Sequence, residues 1–299
     1  LRCLSLQLAG VEIHYLTKKS FSSLLIHNPY INKLHIIEKN VAEVMAELKK
    51  ENFDFIIDLH NNLRSAEVKL KLRCKSYSLQ KLNFKKWLLV NFKINKMPAL
   101  HIVDRYMHTV QALGVLNDHK GLDFFIPVNE EFDFIQLPIS HQNGYTAFVI
   151  GAKHFTKQLP TDKIIAICKK INQPIILIGG NEDVNKASEI ANAVGTLCLN
   201  FCGKYSLLQS ASIIKNSKRV ITHDTGMMHI AAAFNKIIYS VWGNTVPEFG
   251  FAPYMPASNS KMIEVKNLSC RPCSKIGYNA CPKKHFKCMK EIEIEAFVG

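Results

Sequence analysis

The chain has 299 residues, 47% of them hydrophobic, and a formal charge of +14 from 38 Lys and Arg against 24 Asp and Glu. That length fits two domains of ordinary size, and the hydrophobic content excludes a disordered chain. No apolar run has the length of a membrane-spanning helix or of a signal-peptide core, and the excess positive charge asks for an anionic partner: nucleic acid, a phosphorylated sugar or an acidic membrane face.

In chain order, Leu1–Leu8 reads as the tail of a helix. Val11–Leu16 alternates as a strand, Lys18–Ile26 is a short helix, and Lys33–Ile37 is a second strand. Val41, Val44, Met45 and Leu48 recur at helical spacing. Phe53–Leu59 is an almost continuous apolar run, as expected of a strand buried on both faces of a parallel sheet, and it leads through His60–Ser65 into another helix. From Val68 to Val103 there is no Asp or Glu but there are nine Lys and Arg, with Lys81, Lys85 and Lys86 interleaved with Phe84 and Trp87. Such a run destabilises a compact surface unless an anion offsets it, so it is assigned to an anionic or membrane face. His101–Leu113 reads as a helix. Pro127–Gly144 has two prolines, a cluster of acids and no period, and is taken as a linker.

The second half restarts the rhythm. Tyr145–Ile150, Pro174–Ile178, Thr196–Phe201, Arg219–Thr222 and Lys236–Trp242 read as strands. Between them, Thr161–Ile171 (with Thr161 as cap), Glu182–Val194 and Ser206–Asn216 read as helices. Strands alternating with helices on both sides of a linker define an α/β chain of two doubly wound Rossmann-like domains, drawn at 1–135 and 140–299. Ligands of such sheets bind past the C-terminal ends of the strands, where the glycine-rich and polar loops of this chain fall.

Four of those loops belong to the second domain: Lys153–Lys157, Asn200–Lys204, Asp224–His229 and Gly243–Glu248. In the third, a β-branched strand turns directly into a helix whose first turn holds Thr225, Gly226 and His229. A helix N-terminus presents unpaired N–H groups and partial positive charge, and glycine lets a phosphate approach the backbone. Together the loops supply lysines, hydroxyls and an imidazole, equipment for a diphosphate. Neither a P-loop nor GxGxxG is present, so an ATPase or a dinucleotide dehydrogenase is not supported.

The segment HDTGMMHIAAAFNKIIYSVWGNTVPEF resembles the D-[ST]-G-x-x-H-x-A-A-A and trailing G-x-T-x-P turn of the family nine glycosyltransferases, the lipopolysaccharide core heptosyltransferases. Asp58–Ser65, Thr156–Pro160, Asn200–Leu207 and Cys270–Met289 follow the family's order. The resemblance implies a GT-B fold, two Rossmann-like domains facing a cleft, and inverting, metal-independent transfer of a heptose-type sugar from a nucleotide-sugar, ADP-heptose, with no cofactor. Carried over by position, Thr156 and Lys157 contact the diphosphate and Thr225, Gly226 and Met227 cradle it. Asp224 and His229 touch the sugar or its phosphate, and Asn200 lies at the ribose. The acceptor implied is an anionic lipid-linked oligosaccharide at the inner leaflet, with Arg64 and Arg105 as candidate contacts. The enzyme is expected to be cytoplasmic, peripheral to the inner membrane, and without a nucleic-acid partner.

The family's catalytic carboxylate follows its first strand in a Gly-Asp turn. No such turn precedes Val11, so a segment is expected to be missing ahead of Leu1 and no base is assigned. Asp58 is the tempting substitute, but a helix-capping or structural role is preferred.

Cys270, Cys273, Cys281 and Cys288 stand in the spacing C-x2-C-x7-C-x6-C, with His285 nearby. Reduced thiols or a local disulfide are preferred, and a closed zinc site is the alternative. Rival functions are a basic nucleic-acid-binding protein built around that zinc module, and a sugar-nucleotide epimerase of the same architecture.

Overall fold

The computed structural model describes residues 1–298. It divides into two compact units, one formed by Leu1–Leu82 with Leu100–Lys120, the other by Asn83–Ala99 with the chain from Gly121 onward. Segment 83–99, which the sequence reading put in the first domain, thus packs with the second.

The first unit holds two pairs of parallel strands, β1 (His14–Lys18) with β2 (Lys33–Ile37), and β3 (Phe55–Asp58) with β4 (Lys75–Ser78). Helix Ala42–Lys50 buries Val44, Met45 and Leu48, three of the four residues whose spacing marked it. Val41, the fourth, joins them with Ile37 and Val68 in one core. β3 is not buried on both faces: Phe55, Ile56 and Ile57 are half-buried, because the paired strands do not continue into a wide sheet. Asp58 has the structural role expected of it. Its Oδ1 accepts the backbone N–H of His60 and Asn61 (3.0 and 2.6 Å), and its Oδ2 is 2.8 Å from Lys69 Nζ. Arg2 closes the unit with a two-pronged pair to Asp118, Nε to Oδ2 at 2.7 Å and Nη2 to Oδ1 at 2.9 Å.

The second unit is built on a six-stranded parallel sheet. Its strands are β5 (Thr146–Val149), β6 (Ile175–Ile178), β7 (Cys198–Asn200), β8 (Arg219–His223), β9 (Ile237–Trp242) and β10 (Lys261–Glu264), in the order β10-β9-β8-β5-β6-β7. The continuous Val/Ile runs are explained by burial on both faces. Phe148, Ile175, Leu177, Ile221 and Val241 enter one core. Their alternating neighbours Ala147, Ile176, Ile178, Val220 and Trp242 enter the other. Helix Leu207–Asn216 starts with a capping box between Ser206 and Gln209. Helix Thr161–Ile171 has Pro160 rather than Thr161 at its cap position, with no side-chain cap bond. Helix Asn83–Phe92 docks through Leu89 against Val246 and Phe249, while Lys86 Nζ lies 4.4 Å from the Phe251 ring centroid.

Candidate functional site

Strand order reverses between β5 and β8. The chain leaves β5 toward β6 and β7 on one side, and continues from β8 toward β9 and β10 on the other. The carboxyl ends of those two strands are the switch point at which doubly wound sheets bind ligands. The loop after β5 carries Lys157, and the loop after β8 carries Asp224.

These two meet. Lys157 Nζ lies 2.7 Å from Asp224 Oδ2 and 3.3 Å from the Asp224 carbonyl, and Thr245, from the loop after β9, donates its hydroxyl to the same Oδ2 at 2.9 Å. Helix Gly226–Ala233 begins immediately after. Thr225 is its cap residue, in extended conformation (φ −141°, ψ 170°), and no side chain caps the helix. The Thr225 hydroxyl instead faces that of Thr222 at 3.3 Å. Gly226 is exposed, and a Cβ built on it meets no atom within 4 Å, so the approach to the first turn is open. Uncapped N–H groups, a partial positive charge and an adjacent ammonium give this turn the character of an anion cradle. Met227 and His229 occupy the same turn, half-buried.

The loop bearing Lys157 is clamped from behind. The Leu159 N–H donates to Nε2 of fully buried His223 at 3.0 Å, and the Leu159 carbonyl accepts from Lys186 Nζ at 2.9 Å. Burial, reinforced by the nearby Lys186 charge, pushes the His223 pKa down to about 3, so the ring is neutral and presents a lone pair to Leu159.

Thr156 and Asn200 are placed differently. Thr156 is 1% exposed, and its hydroxyl accepts the Tyr278 N–H at 2.8 Å while lying 3.2 Å from the Tyr278 carbonyl. It fastens the C-terminal segment to the site loop. Asn200 ends β7, two strands from β5. Its amide donates to Ser188 Oγ (3.0 Å) and the Val184 carbonyl (3.3 Å) and accepts from the Cys202 N–H (3.0 Å).

Sequence reasoning missed His223, Arg271 and Asn244. Arg271 donates to the carbonyls of Gly243 (2.5 Å), Val265 (2.7 Å) and Thr245 (3.0 Å), and pairs with Glu264 at 2.8 Å. It thereby fixes the loop that presents Thr245. Asn244 is 1% exposed, with neither side-chain amide atom partnered. Its position in the G-x-T-x-P turn was the available signal.

The cysteine-rich segment is therefore a brace for two site loops, through Arg271 and Tyr278. All nine cysteines are free thiols, so the local disulfide is not formed. Burial raises Cys273, and pushes Cys288 up to about 12. Among the described residues no three of Cys270, Cys273, Cys281, Cys288 and His285 gather at metal-ligand spacing. A groove of about 840 Å³ opens at the opposite, amino ends of the strands, lined by Gly144, Lys218, Arg219 and Lys261, and holds none of the site residues.

In the first unit, Arg64 is exposed in the first turn of helix Leu63–Leu72. Arg105 is buried, donating to the Gln80 carbonyl at 2.6 Å, with its pKa lowered by burial. Its visible role is to hold the chain just after β4.

An α/β chain of two units, one of them a doubly wound parallel sheet with an uncapped helix N-terminus at its switch point, has the architecture of the GT-B glycosyltransferases, and solved structures of that fold superpose on the chain. The Escherichia coli ADP-heptose lipopolysaccharide heptosyltransferase II does so with a TM-score of 0.70 at 19% identity, over 97% of this chain and 92% of that one. A glycosyltransferase family 9 protein of Veillonella parvula gives 0.75 at 18%, over 99% and 89%. The sequence matches glycosyltransferase family 9 (heptosyltransferase) over residues 41–284, and the chain belongs to that family. Among curated relatives, the lipopolysaccharide heptosyltransferase 1 of Campylobacter coli is 24% identical over 79% of this chain and 76% of its own length. The lipooligosaccharide heptosyltransferase 2 of Haemophilus ducreyi is 30% identical over 67% and 63%. The chain is accordingly a glycosyltransferase, and this assignment replaces the rival functions raised by its sequence.

Proposed function

We propose that this enzyme transfers a heptose from ADP-heptose to a sugar of a lipid-linked lipopolysaccharide core, with inversion at the anomeric carbon. The observation that carries the reading is the convergence of Lys157 and Thr245 on Asp224 beside the uncapped N-terminus of helix Gly226–Ala233. As the sugar–phosphate bond breaks, charge grows on the departing ADP. The Lys157 ammonium and the N–H groups of Gly226 and Met227 meet that charge with donors already fixed in place, which favours the transition state over bound substrate. Asp224 orients Lys157 and turns its remaining acceptor capacity toward the sugar hydroxyls, with His229 one helical turn away. Thr156 and Asn200 act on the donor by shaping their loops. Arg64 is the acceptor-side candidate that faces solvent, and Arg105 supports that side from within.

Membrane attachment rests on helix Asn83–Phe92. Phe84, Trp87 and Phe92 are exposed, with Phe84 stacked on Trp87 (centroids 5.9 Å apart) and Trp87 edge-on to Phe92 (5.1 Å). Exposed Lys85 and Lys96 flank them. An aromatic face beside lysines suits the headgroup region of an anionic leaflet, and no helix among the described residues is long and apolar enough to cross a membrane.

The test incubates the purified enzyme with ADP-heptose and a lipid-linked core lacking the heptose. Transfer should require both, and the product linkage, read by NMR, should have the anomeric configuration opposite to the donor. Release of free heptose alone, or retention of configuration, overturns the reading.

A further inference from the structure

Away from the donor site, strands β1 and β2 bring two histidines together. In their parallel register His14 lies opposite Lys33 and Leu16 opposite His35, so His14, Lys33 and His35 share one face. Glu47 and Glu51, four residues apart at the end of helix Ala42–Lys50, face them. His14 Nδ1 is 3.1 Å from His35 Nε2, and a ring nitrogen of each histidine and a carboxylate oxygen of Glu51 all lie within 4.8 Å of one another. His35 is 2% exposed, and the His14 ring is held edge-on by Phe53 at 5.1 Å between centroids.

We propose that His14, His35 and Glu51 form a divalent-metal site of zinc type that ties β1 and β2 to the end of helix Ala42–Lys50. Three features carry this. A tetrahedral zinc with Zn–N of about 2.0–2.1 Å holds two ligand nitrogens about 3.3 Å apart, so the observed pair needs to open by only a few tenths of an ångström. The outer nitrogen of His35, Nδ1, is without a hydrogen-bond partner but has Glu47 Oε1 at 3.3 Å. A small turn of that carboxylate would accept the Nδ1 proton and leave the Nε2 lone pair for a ligand, the arrangement found behind metal-bound histidines. Two imidazoles and one carboxylate select Zn²⁺ and its transition-metal neighbours over Mg²⁺ or Ca²⁺, and leave a fourth position for water.

A resident cation competes. Lys33 Nζ bridges Glu51 Oε1 (2.6 Å) and Glu47 Oε1 (2.9 Å). Metal binding moves the ammonium off Glu51 while its contact with Glu47 persists. Two carboxylates against one ammonium leave a net negative charge facing the site, which favours a divalent cation.

The experiment uses the full chain carrying Cys270→Ser and Cys273→Ser, which removes the competing C-x2-C thiolates, after treatment with a chelator. Titration with Co²⁺ should give one equivalent with visible d–d bands and no thiolate charge-transfer band, and Zn²⁺ should displace it and raise Tm. Mg²⁺ should do neither. His14→Ala and Glu51→Gln should each abolish the bands and the Tm rise, and the second change is at a half-buried position that tolerates it if the first impairs folding. Glu47→Gln should weaken binding by about 10–100-fold through the lost outer partner. Lys33→Met should tighten it. Absence of Co²⁺ and Zn²⁺ uptake, uptake unaffected by both ligand changes, or unchanged binding in Lys33→Met overturns the proposal.

Discussion

Lys157 Nζ and Asp224 Oδ2 lie 2.7 Å apart, although 67 residues separate them, because their loops leave the two strands between which the sheet reverses its order. The pair is mostly buried, at 15% and 14% side-chain exposure. Removing one partner therefore leaves a charge in a poor solvent.

Lys157→Ala should weaken ADP binding by about 1.5–3 kcal/mol, the range for a hydrogen bond to a charged group, which is about 10–150-fold in Kd. The effect should sit at the upper end, since Asp224 loses its counter-charge and repels the incoming diphosphate. Asp224→Asn keeps the Lys157 ammonium and should leave ADP affinity within a few-fold of wild type while transfer falls. Calorimetry with ADP checks both. Equal loss of ADP affinity in the two variants would show that the carboxylate, rather than the ammonium, governs the nucleotide.

Asn244 should behave in the opposite way in stability and in binding. A buried amide with no partner costs about 1–3 kcal/mol, so Asn244→Ala should hold or raise Tm of the free enzyme. ADP affinity should fall, because the group left unpartnered in the free protein finds its partner in the complex. A lower Tm with unchanged ADP binding would instead identify Asn244 as the ligand of a structural water.

Much of this site was legible because its backbone logic is local. The apolar runs of β5, β6, β8 and β9 and the Asp-Thr-Gly turn announce a doubly wound sheet and a helix N-terminus within a few residues of chain. The strands missed were β4 (KSYS) and β10 (KMIE), which carry lysine and are only partly buried, so apolar runs do not mark them. Helix Asn83–Phe92 was hidden inside its basic run, as its burial falls mainly on Leu89. The use of polar side chains was least legible. Thr156 is claimed by Tyr278, 122 residues away, and Arg271 sits among cysteines that drew the eye, while its bonds reach back 26 and 28 residues. Nothing in the spacing of those residues encodes such pairings.

Stability should depend on pH through His223. Its folded pKa, about 3, lies below the 6.5 of a free histidine, so the unfolded chain takes up a proton that the folded protein refuses. The contribution is present in full above pH 6.5 and is lost as pH falls toward 3, by about 1.4 kcal/mol per pH unit. Asp183 works in the opposite sense, its pKa raised by burial, so wild-type data alone mix the two. The difference between wild type and His223→Gln isolates the imidazole. Urea unfolding between pH 7.5 and 4.5 should show a shallower decline in the variant by about that slope, and parallel curves would mean that His223 is protonated in the folded state.

Arg271 is the last residue to test, because it separates the brace from the cradle. Its guanidinium, 7% exposed, holds the carbonyls of Gly243 and Thr245 and neutralises Glu264. Arg271→Met keeps most of the apolar stem and removes every one of those bonds, leaving Glu264 unpaired at partial burial. Breaking a buried pair from one side costs about 3–5 kcal/mol, and the 21% exposure of Glu264 places this case at or below the lower end. Where the protein stays folded, Thr245 loses the support that aims its hydroxyl at Asp224, so ADP affinity should drop although Arg271 bonds to neither Lys157 nor Asp224. Lys at this position restores the charge but cannot reach three carbonyls and a carboxylate at once, and so should recover stability in part and binding hardly at all. Full recovery of ADP binding by Arg271→Lys would show that charge near Glu264, rather than the geometry of the 243–245 loop, is what the site requires.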